Sequence, residues 1–464
     1  MTAIRRTDTW GLVTAIAPAI AIGSVIGFGY WLPTIIGLAA IPVSIAALWA
    51  LTKDIRVVPF WCACGAVAMV CVNGMRVGPS ATYGDLLIVG ATVTIGVIAL
   101  IRPSTLPTPP AWLVAGAMLL LVSALIVEMF PAQEKRAFSI FTNTNLLTNE
   151  ITEESSMRLA LKLIFALTIA PYVIASTVVS WRGLRFLVAA WLAGVGASAL
   201  VAVLAALAGV DLQETLVGNA YSVPGRYTGL TVHPVALGIT CAMALPVALS
   251  QVGSKDPRRA WAFAALVALY GSAILVSGTR AALLAAVAGG VYVAAAQPAT
   301  RGRLVAIATV GLAVAYLYAP SLETLSLPQR LSGEASSSQT SNTAHLTSIS
   351  DGFNLWLERP IGWSFETVRG AHNIVLQMLT SGGLLALAGF GLVIRASFMV
   401  SRQLARCRRL PEDMRVLAVA LTASLLVWFG QAMVASASFD RYLYIPTALL
   451  LAMFFIAERQ NRLG

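Results

Sequence analysis

The chain has 464 residues, of which 58% are hydrophobic and only 11% charged, with a mean hydropathy of +0.81 and a formal net charge of +11. Such values exclude a soluble globular domain. The basic residues are spread singly over many short loops and form no stripe, which excludes nucleic acid as a partner and points instead to membrane topology.

Apolar runs recur from Trp10 to Ile456, many of them the roughly 20 residues that cross a hydrocarbon core of roughly 30 Å. They are read as helices, because lipid cannot satisfy backbone polar groups and no period-two alternation suggests a barrel. Fourteen spans are predicted: about 10 to 28, 30 to 51, 57 to 74, 84 to 101, 111 to 130, 157 to 180, 184 to 209, 231 to 251, 260 to 277, 281 to 298, 303 to 319, 373 to 398, 416 to 436 and 442 to 458. The first follows Arg5 and Arg6 and is followed almost at once by another, so it is read as a retained span and not a cleaved signal peptide. The chain divides into N-terminal membrane helices, 1–209, and a second membrane core, 210–464, which includes a long loop at 320–372.

A cytoplasmic N-terminus assigns every loop a side and places the C-terminus in the cytoplasm as well. Twenty of the 31 Lys and Arg then fall on the cytoplasmic side, ten outside, and Lys162 within a span, as the positive-inside rule expects. Two outer segments are long. The first, about 131 to 156, is rich in Thr and Asn, ends in Glu150, Glu153 and Glu154, and is read as a solvated loop. The second is 320–372. Its Ser-rich part, Leu331 to Ala344, is expected to be mobile. Leu346, Ile349, Phe353, Trp356 and Leu357 then recur at helical spacing up to Pro360, predicting an amphipathic helix that lies on the outer membrane surface or over the bundle. A moving lid and a helix that merely packs both fit this pattern.

Five cysteines, Cys62, Cys64, Cys71, Cys241 and Cys407, include a C-x-C inside an apolar run, and are read as small core residues. No internal repeat is visible, which disfavours the common transporter architectures.

The informative residues are cations on the outer side. Arg280 stands in Ser277-Gly278-Thr279-Arg280, the tip of a tight hairpin. Arg226 lies in a Gly- and Pro-bent segment, Tyr221 to Gly229, and Arg441 follows Asp440 in the last outer turn. Snorkelling to headgroups, or an Asp440–Arg441 pair, is the bland account of such residues. The functional account is an anionic ligand, because the guanidinium fork suits phosphate oxygens and the membrane edge suits a lipid phosphate or diphosphate. Three histidines are present. His233 starts a span, and His372, followed by Asn373, closes the long loop where polar chain gives way to apolar.

Taken together, Gly225-Arg226-Tyr227-Thr228-Gly229-Leu230 with His233-Pro234, then Ser277-Gly278-Thr279-Arg280, then Glu358-Arg359-Pro360-Ile361-Gly362-Trp363, then His372-Asn373 with Gly382-Gly383-Leu384, resemble the O-antigen ligase and O-antigen polymerase superfamily of membrane glycosyltransferases. The resemblance covers about residues 215 to 390. It departs from the family at His233, where Asn is common before the proline, and at His345, often an arginine. It implies an all-α, GT-C-like polytopic fold with a large extracytoplasmic loop before the last three spans. The implied activity moves a glycan from a polyprenyl diphosphate carrier to a lipid or surface-glycan acceptor, on the periplasmic face of a bacterial inner membrane. By motif position Arg226 and Arg280 would hold the diphosphate, and Arg441, a cation in the last outer turn, is a further candidate for the same role. His372 would serve the reacting centre, either taking the acceptor hydroxyl's proton or donating to the phosphate. His233, Asn373 and Glu366 are further candidate substrate contacts, and Glu334 and Glu366 weaker candidates for the base. No Asp-x-Asp or paired acidic motif offers a magnesium site, and no cofactor is expected. A polymerase that joins lipid-linked repeat units shares this chemistry. A lipid-linked oligosaccharide flippase is the rival from another class, and would place its charges near the midplane.

Overall fold

The computed structural model describes residues 57–73, 82–101, 106–131, 156–210, 225–254, 256–298, 301–302, 336–365, 373–434 and 444–460. Among them the chain is helical and contains no strand. Twelve helices follow in order: α1 (Val57–Met69, continued as a tight turn over Val70–Val72), α2 (Tyr83–Ile101), α3 (Ala111–Met129), α4 (Ser156–Thr177), α5 (Trp181–Ala208), α6 (Pro234–Val252), α7 (Pro257–Ser277), α8 (Arg280–Ala296), α9 (Ser336–Glu358), α10 (Ile374–Arg406), α11 (Glu412–Ala432) and α12 (Ile445–Arg459). Eight of them are long and apolar enough to cross a membrane, so the chain is a multi-pass membrane protein. All but α9 coincide with predicted spans. The remaining three predicted spans, 10 to 28, 30 to 51 and 303 to 319, lie outside the described residues, as does nearly all of the 131 to 156 loop.

The helix ends follow their sequences. Ser180 caps α5 by accepting from Gly183 N, and Asp256 caps α7 by accepting from Arg258 N. Proline opens α6 and α7 at a position whose N–H has no partner in any helix. α4 carries a π-turn at Phe165–Ile169, whose last residue, Ile169, is exposed. Here Ala166, Leu167 and Thr168 are buried.

α6 is the central helix, with 83% of its apolar window buried, and is packed by α5, α7, α8 and α11. α3 lies along α10, α1 along α2 and α5, and α4 along α12. Apolar attraction cannot drive these contacts in lipid, so small residues let backbones meet. At Gly194 an added Cβ would stand 2.0 Å from Ala68 O, and at Gly389 one would stand 2.9 Å from Gly116 O. The outer helices α2, α3 and α7 leave apolar side chains such as Val93, Met118 and Trp261 exposed to what would be lipid.

Contacts between helix ends define two faces of the bundle. At one, Trp181 Nε1 donates to Gln460 Oε1, Arg185 pairs with Asp413, and Gln297 Nε2 donates to Val416 O. Arg182, Arg258, Arg259, Arg402, Arg406, Arg408, Arg409 and Arg459 belong to the same helix ends, so this is the basic end. The opposite end gathers the starts of α6, α8 and α10 with the ends of α7 and α11.

α9 shows two faces. Ser348 and Leu355 are buried, and α9 packs on α10. Leu346, Ile349, Phe353 and Leu357 point away and are exposed. The Ser-rich stretch departs from expectation, since the helix already begins at Ser336. With no Gly or Pro between Ser336 and Ala344, extending a helix nucleated by the packed half costs little per residue.

Candidate functional site at the end opposite the basic one

The segment 225–233 lies over the tip of the α7–α8 hairpin. Tyr227 N donates to Val276 O at 3.0 Å. Arg226 is buried, its Nε donating to Ser277 O at 2.8 Å and its Nη2 to Thr279 Oγ1 at 3.2 Å. A guanidinium on the last carbonyls of α7 also answers the negative end of that helix dipole. Gly229 allows the segment to sit this deep. Its φ is +59°, and an added Cβ would lie 2.2 Å from Ser198 O in α5. Leu230 N then bonds Ser198 Oγ at 3.0 Å, and Val232 N bonds Asn73 Oδ1 at 3.0 Å.

His233 is the N-cap of α6, with Nδ1 accepting from Val235 N at 3.1 Å. The acceptor role puts the ring proton on Nε2. Thr279 Oγ1 donates toward Pro234 O at 3.4 Å, and an added Cβ at Gly238 would fall 2.9 Å from Ser277 Oγ and from Thr279 Cβ. The N-termini of α6 and α8 are thus adjacent, and their N–H groups and dipoles make one positive region. Arg280 is the first residue of α8 and half-buried in that region. A cation at a helix N-terminus adds to the positive end of the dipole.

The second part of the site is the start of α10. Asn373 caps it, with Oδ1 accepting from Val375 N and Leu376 N, while Nδ2 donates to Met433 O at 3.2 Å, just past α11. After Ser381 the helix breaks at Gly382 and Gly383, where Gly383 takes φ +66°, ψ −157°. The turn after α9 fills the break. Trp363 N donates to Thr380 O at 2.7 Å, and Ser123 Oγ of α3 donates to Gly382 O at 2.7 Å, so two carbonyls at the interruption find donors. A Cβ at Gly383 would stand 2.3 Å from Pro360 O. Arg359 donates to Phe130 O and lies over the Trp363 ring at 5.8 Å. The residues 358–363 and 382–383, far apart in sequence, thus form one packing unit.

α11 links the two parts. Ser424 Oγ donates to Met243 O at 2.7 Å, and α6 and α11 run antiparallel. Seven residues outward on α11 reaches Gln431 and seven back on α6 reaches Ala236, both about 10 Å along the axis. Gln431 is therefore level with the first turn of α6, two residues from the Met433 carbonyl that Asn373 holds. Of the predicted site residues, Arg226, His233, Arg280 and Asn373 come to this end of the bundle. His372, Glu366 and Arg441 lie outside the described residues, as does Glu334.

Sequence reading quoted Ser277 and Thr279 only as neighbours of Arg280 and passed over Asn73; their polar atoms hold the arginine segment in place. A hydroxyl or carboxamide in a loop carries no periodic signal. It also missed a cavity of about 60 Å³ lined by residues of α1, α2, the π-turn of α4 and α12, with Asn73, Thr82, Asp85 and Tyr444 as its polar groups. Asn73 joins this cavity to the 225–233 segment. No group of three or more His, Cys, Asp or Glu arranged to hold a metal occurs among the described residues. In comparison with known proteins, no family model and no curated protein matched the chain.

Proposed function

We propose that this chain is a membrane glycosyltransferase of the O-antigen ligase type, which transfers a glycan from a polyprenyl diphosphate to a lipid or surface-glycan acceptor on the outer face of a bacterial inner membrane. One observation carries the reading. Arg226 and Arg280 meet the N-termini of α6 and α8 at the end of the bundle opposite the basic residues. The positive-inside rule makes the basic end cytoplasmic, so the cationic site faces outward, where its ligand is an anion at the membrane edge. The family resemblance supports the same reading. His233 also fits it, since the position is an N-cap and Asn, common there in that family, is a preferred capping residue. Fourteen spans and a GT-C-like arrangement belong to this proposal.

In the proposed reaction an acceptor hydroxyl oxygen forms a bond to the anomeric carbon, whose bond to the diphosphate oxygen breaks. The electron pair leaves with the diphosphate, and fixed arginines and helix N-termini stabilise it without reorganising. The hydroxyl proton passes to a base, for which His372 is the candidate beside Asn373, or His372 holds the phosphate and another group takes the proton. Because the arginines carry the leaving-group charge, the reading expects transfer to persist in a chelator.

The test is purified protein in detergent or nanodiscs with a polyprenyl-diphosphate glycan, offered a lipid acceptor and, separately, a second lipid-linked repeat. One product of defined size on the lipid acceptor, unchanged by EDTA, is expected. A ladder of repeat lengths would assign the polymerase reaction instead. Movement of substrate across vesicles without a new glycosidic bond would replace the enzyme by a flippase.

A further inference from the structure

α9 has one surface too many for a helix that packs on one side and faces water on the other. At about 100° per residue its described side chains fall into three sectors. Ser348, Gly352 and Leu355 are buried on the side that packs on α10, where Leu355 meets Leu376 and Trp363. Ser350, Asn354 and Glu358 are exposed and polar. Leu346, Ile349, Phe353 and Leu357 form the third sector, within about 80° of one another. They too are exposed, Leu346 by 71% and Leu357 by 56%. A continuous stripe of four large apolar side chains in water is costly and marks a binding surface.

The level of α9 is fixed by α3, one of the membrane-spanning helices. Arg359, directly after α9, donates to Phe130 O at the end of α3, and Trp363 Nε1 donates back to Leu355 O at 2.7 Å. Trp363 N holds Thr380 O, and two residues further along α10 Gly382 O accepts from Ser123 Oγ. Ser123 lies seven residues before Phe130, about 10 Å along α3. The turn that ends α9 therefore stands beside the last two turns of a spanning helix and not above them. Val122, Leu125, Met129 and Phe130 of that helix are exposed, as is Ile361 in the turn itself. The end of α9 is thus joined to a surface that faces lipid.

We propose that the stripe is a lipid-binding surface. α9 lies in the outer leaflet with Leu346, Ile349, Phe353 and Leu357 among acyl chains, its buried side on α10 and its polar side toward water. The occupant is hydrocarbon and not an anionic headgroup, since α9 contains no Lys or Arg and its polar side carries Glu358. A helix held by protein on one side and by lipid on another is a rim at the edge of the bundle, and does not lift from it as a lid. The proposal stands on the fold alone and does not depend on the glycosyltransferase reading.

The experiment uses the full chain in nanodiscs, with Cys62 and Cys407, the two cysteines that are not buried, replaced by serine. Single cysteines are introduced on the stripe, Phe353→Cys and Leu357→Cys, and on the polar side, Ser350→Cys and Asn354→Cys, and each carries an environment-sensitive fluorophore. Two positions on each side keep the comparison if one variant does not fold. Labels at Phe353 and Leu357 are expected to emit at shorter wavelength and to lose most of their fluorescence to lipids with nitroxide on the acyl chain, and little to a water-soluble quencher. Labels at Ser350 and Asn354 should show the reverse. Quenching of all four from water alone would put α9 outside the leaflet and overturn the proposal. Protection of Phe353 and Leu357 from both quenchers would overturn it in favour of a protein cover, a second copy or another segment of this chain. The same pattern is expected in zwitterionic and anionic nanodiscs, and one that appears only in the anionic ones would overturn acyl chains as the occupant.

Discussion

Arg226 and Arg280 enter the same cluster under different constraints, and their substitutions should therefore behave differently. Arg226 is buried and donates to Ser277 O and Thr279 Oγ1. Arg226→Ala strips donors from a carbonyl and a hydroxyl that remain buried, at a cost of about 1–3 kcal/mol. It is expected to lower the melting temperature as well as activity, so lost activity there is ambiguous. Arg280 opens α8, where the dipole disfavours a cation by about 0.3–1 kcal/mol. Arg280→Ala, at a half-buried position, is expected to cost less stability than Arg226→Ala, while transfer falls about 100-fold or more, the usual scale for losing one preorganised charge-stabilising group. Thermal melts with product assays on the same preparations check both. An Arg280→Ala protein of full activity would remove the diphosphate role from this residue. His372→Ala, expected to abolish transfer without affecting membrane insertion, is the companion measurement.

At the scale of elements, the break in α10 gives the clearest expectation. The conformation of Gly383, φ +66° and ψ −157°, belongs to glycine almost alone, and Pro360 O fills the space a Cβ would need. Gly383→Ala is expected to cost about 1–3 kcal/mol from backbone strain alone, with the clash in addition. It should also loosen the 359–363 turn, which quenching of Trp363 fluorescence would report. Unchanged melting and quenching would mean that the turn does not depend on the break. The sequence carried part of this region. Hydropathy located every described spanning helix, because lipid makes backbone hydrogen bonding obligatory and leaves composition to mark the spans. The motifs at 358–363 and 382–383 also stood out as residues. Their relation did not, since a glycine that yields space to a distant proline carbonyl has no local signature. The π-turn of α4 was hidden for the same reason, being settled by packing against other helices, and the helical Ser-rich start of α9 because it extends a helix nucleated by the packed half. In the site, the arginines were legible because a cation at the membrane edge is costly. The hydrogen bonds of Asn73 and Thr279 were not, because the partners of an amide or a hydroxyl are set only by the fold.

For the whole molecule the decisive quantity is orientation, because it selects the donor chemistry. Nucleotide-activated sugars are made and kept in the cytoplasm, so a site on that side would have a soluble donor available. A site on the other side must draw on a sugar already carried through the membrane on lipid. The basic end holds Arg402, Arg406, Arg408 and Arg409 around the α10–α11 connection, whereas Arg226, Arg280 and Asn373 lie at the other end. Lys and Arg in short loops set orientation far more strongly than acidic residues do. Arg408→Cys is accordingly expected to resist a membrane-impermeant maleimide in spheroplasts until the membrane is permeabilised, and Ser364→Cys, in the turn after α9, to react at once. Cys64, Cys71 and Cys241 are buried and should stay silent, while Cys62 and Cys407, both only partly buried, must first be replaced by serine. Reversed labelling would place the arginine cluster in the cytoplasm, and the lipid-linked donor would then lose its main support even if transfer were observed.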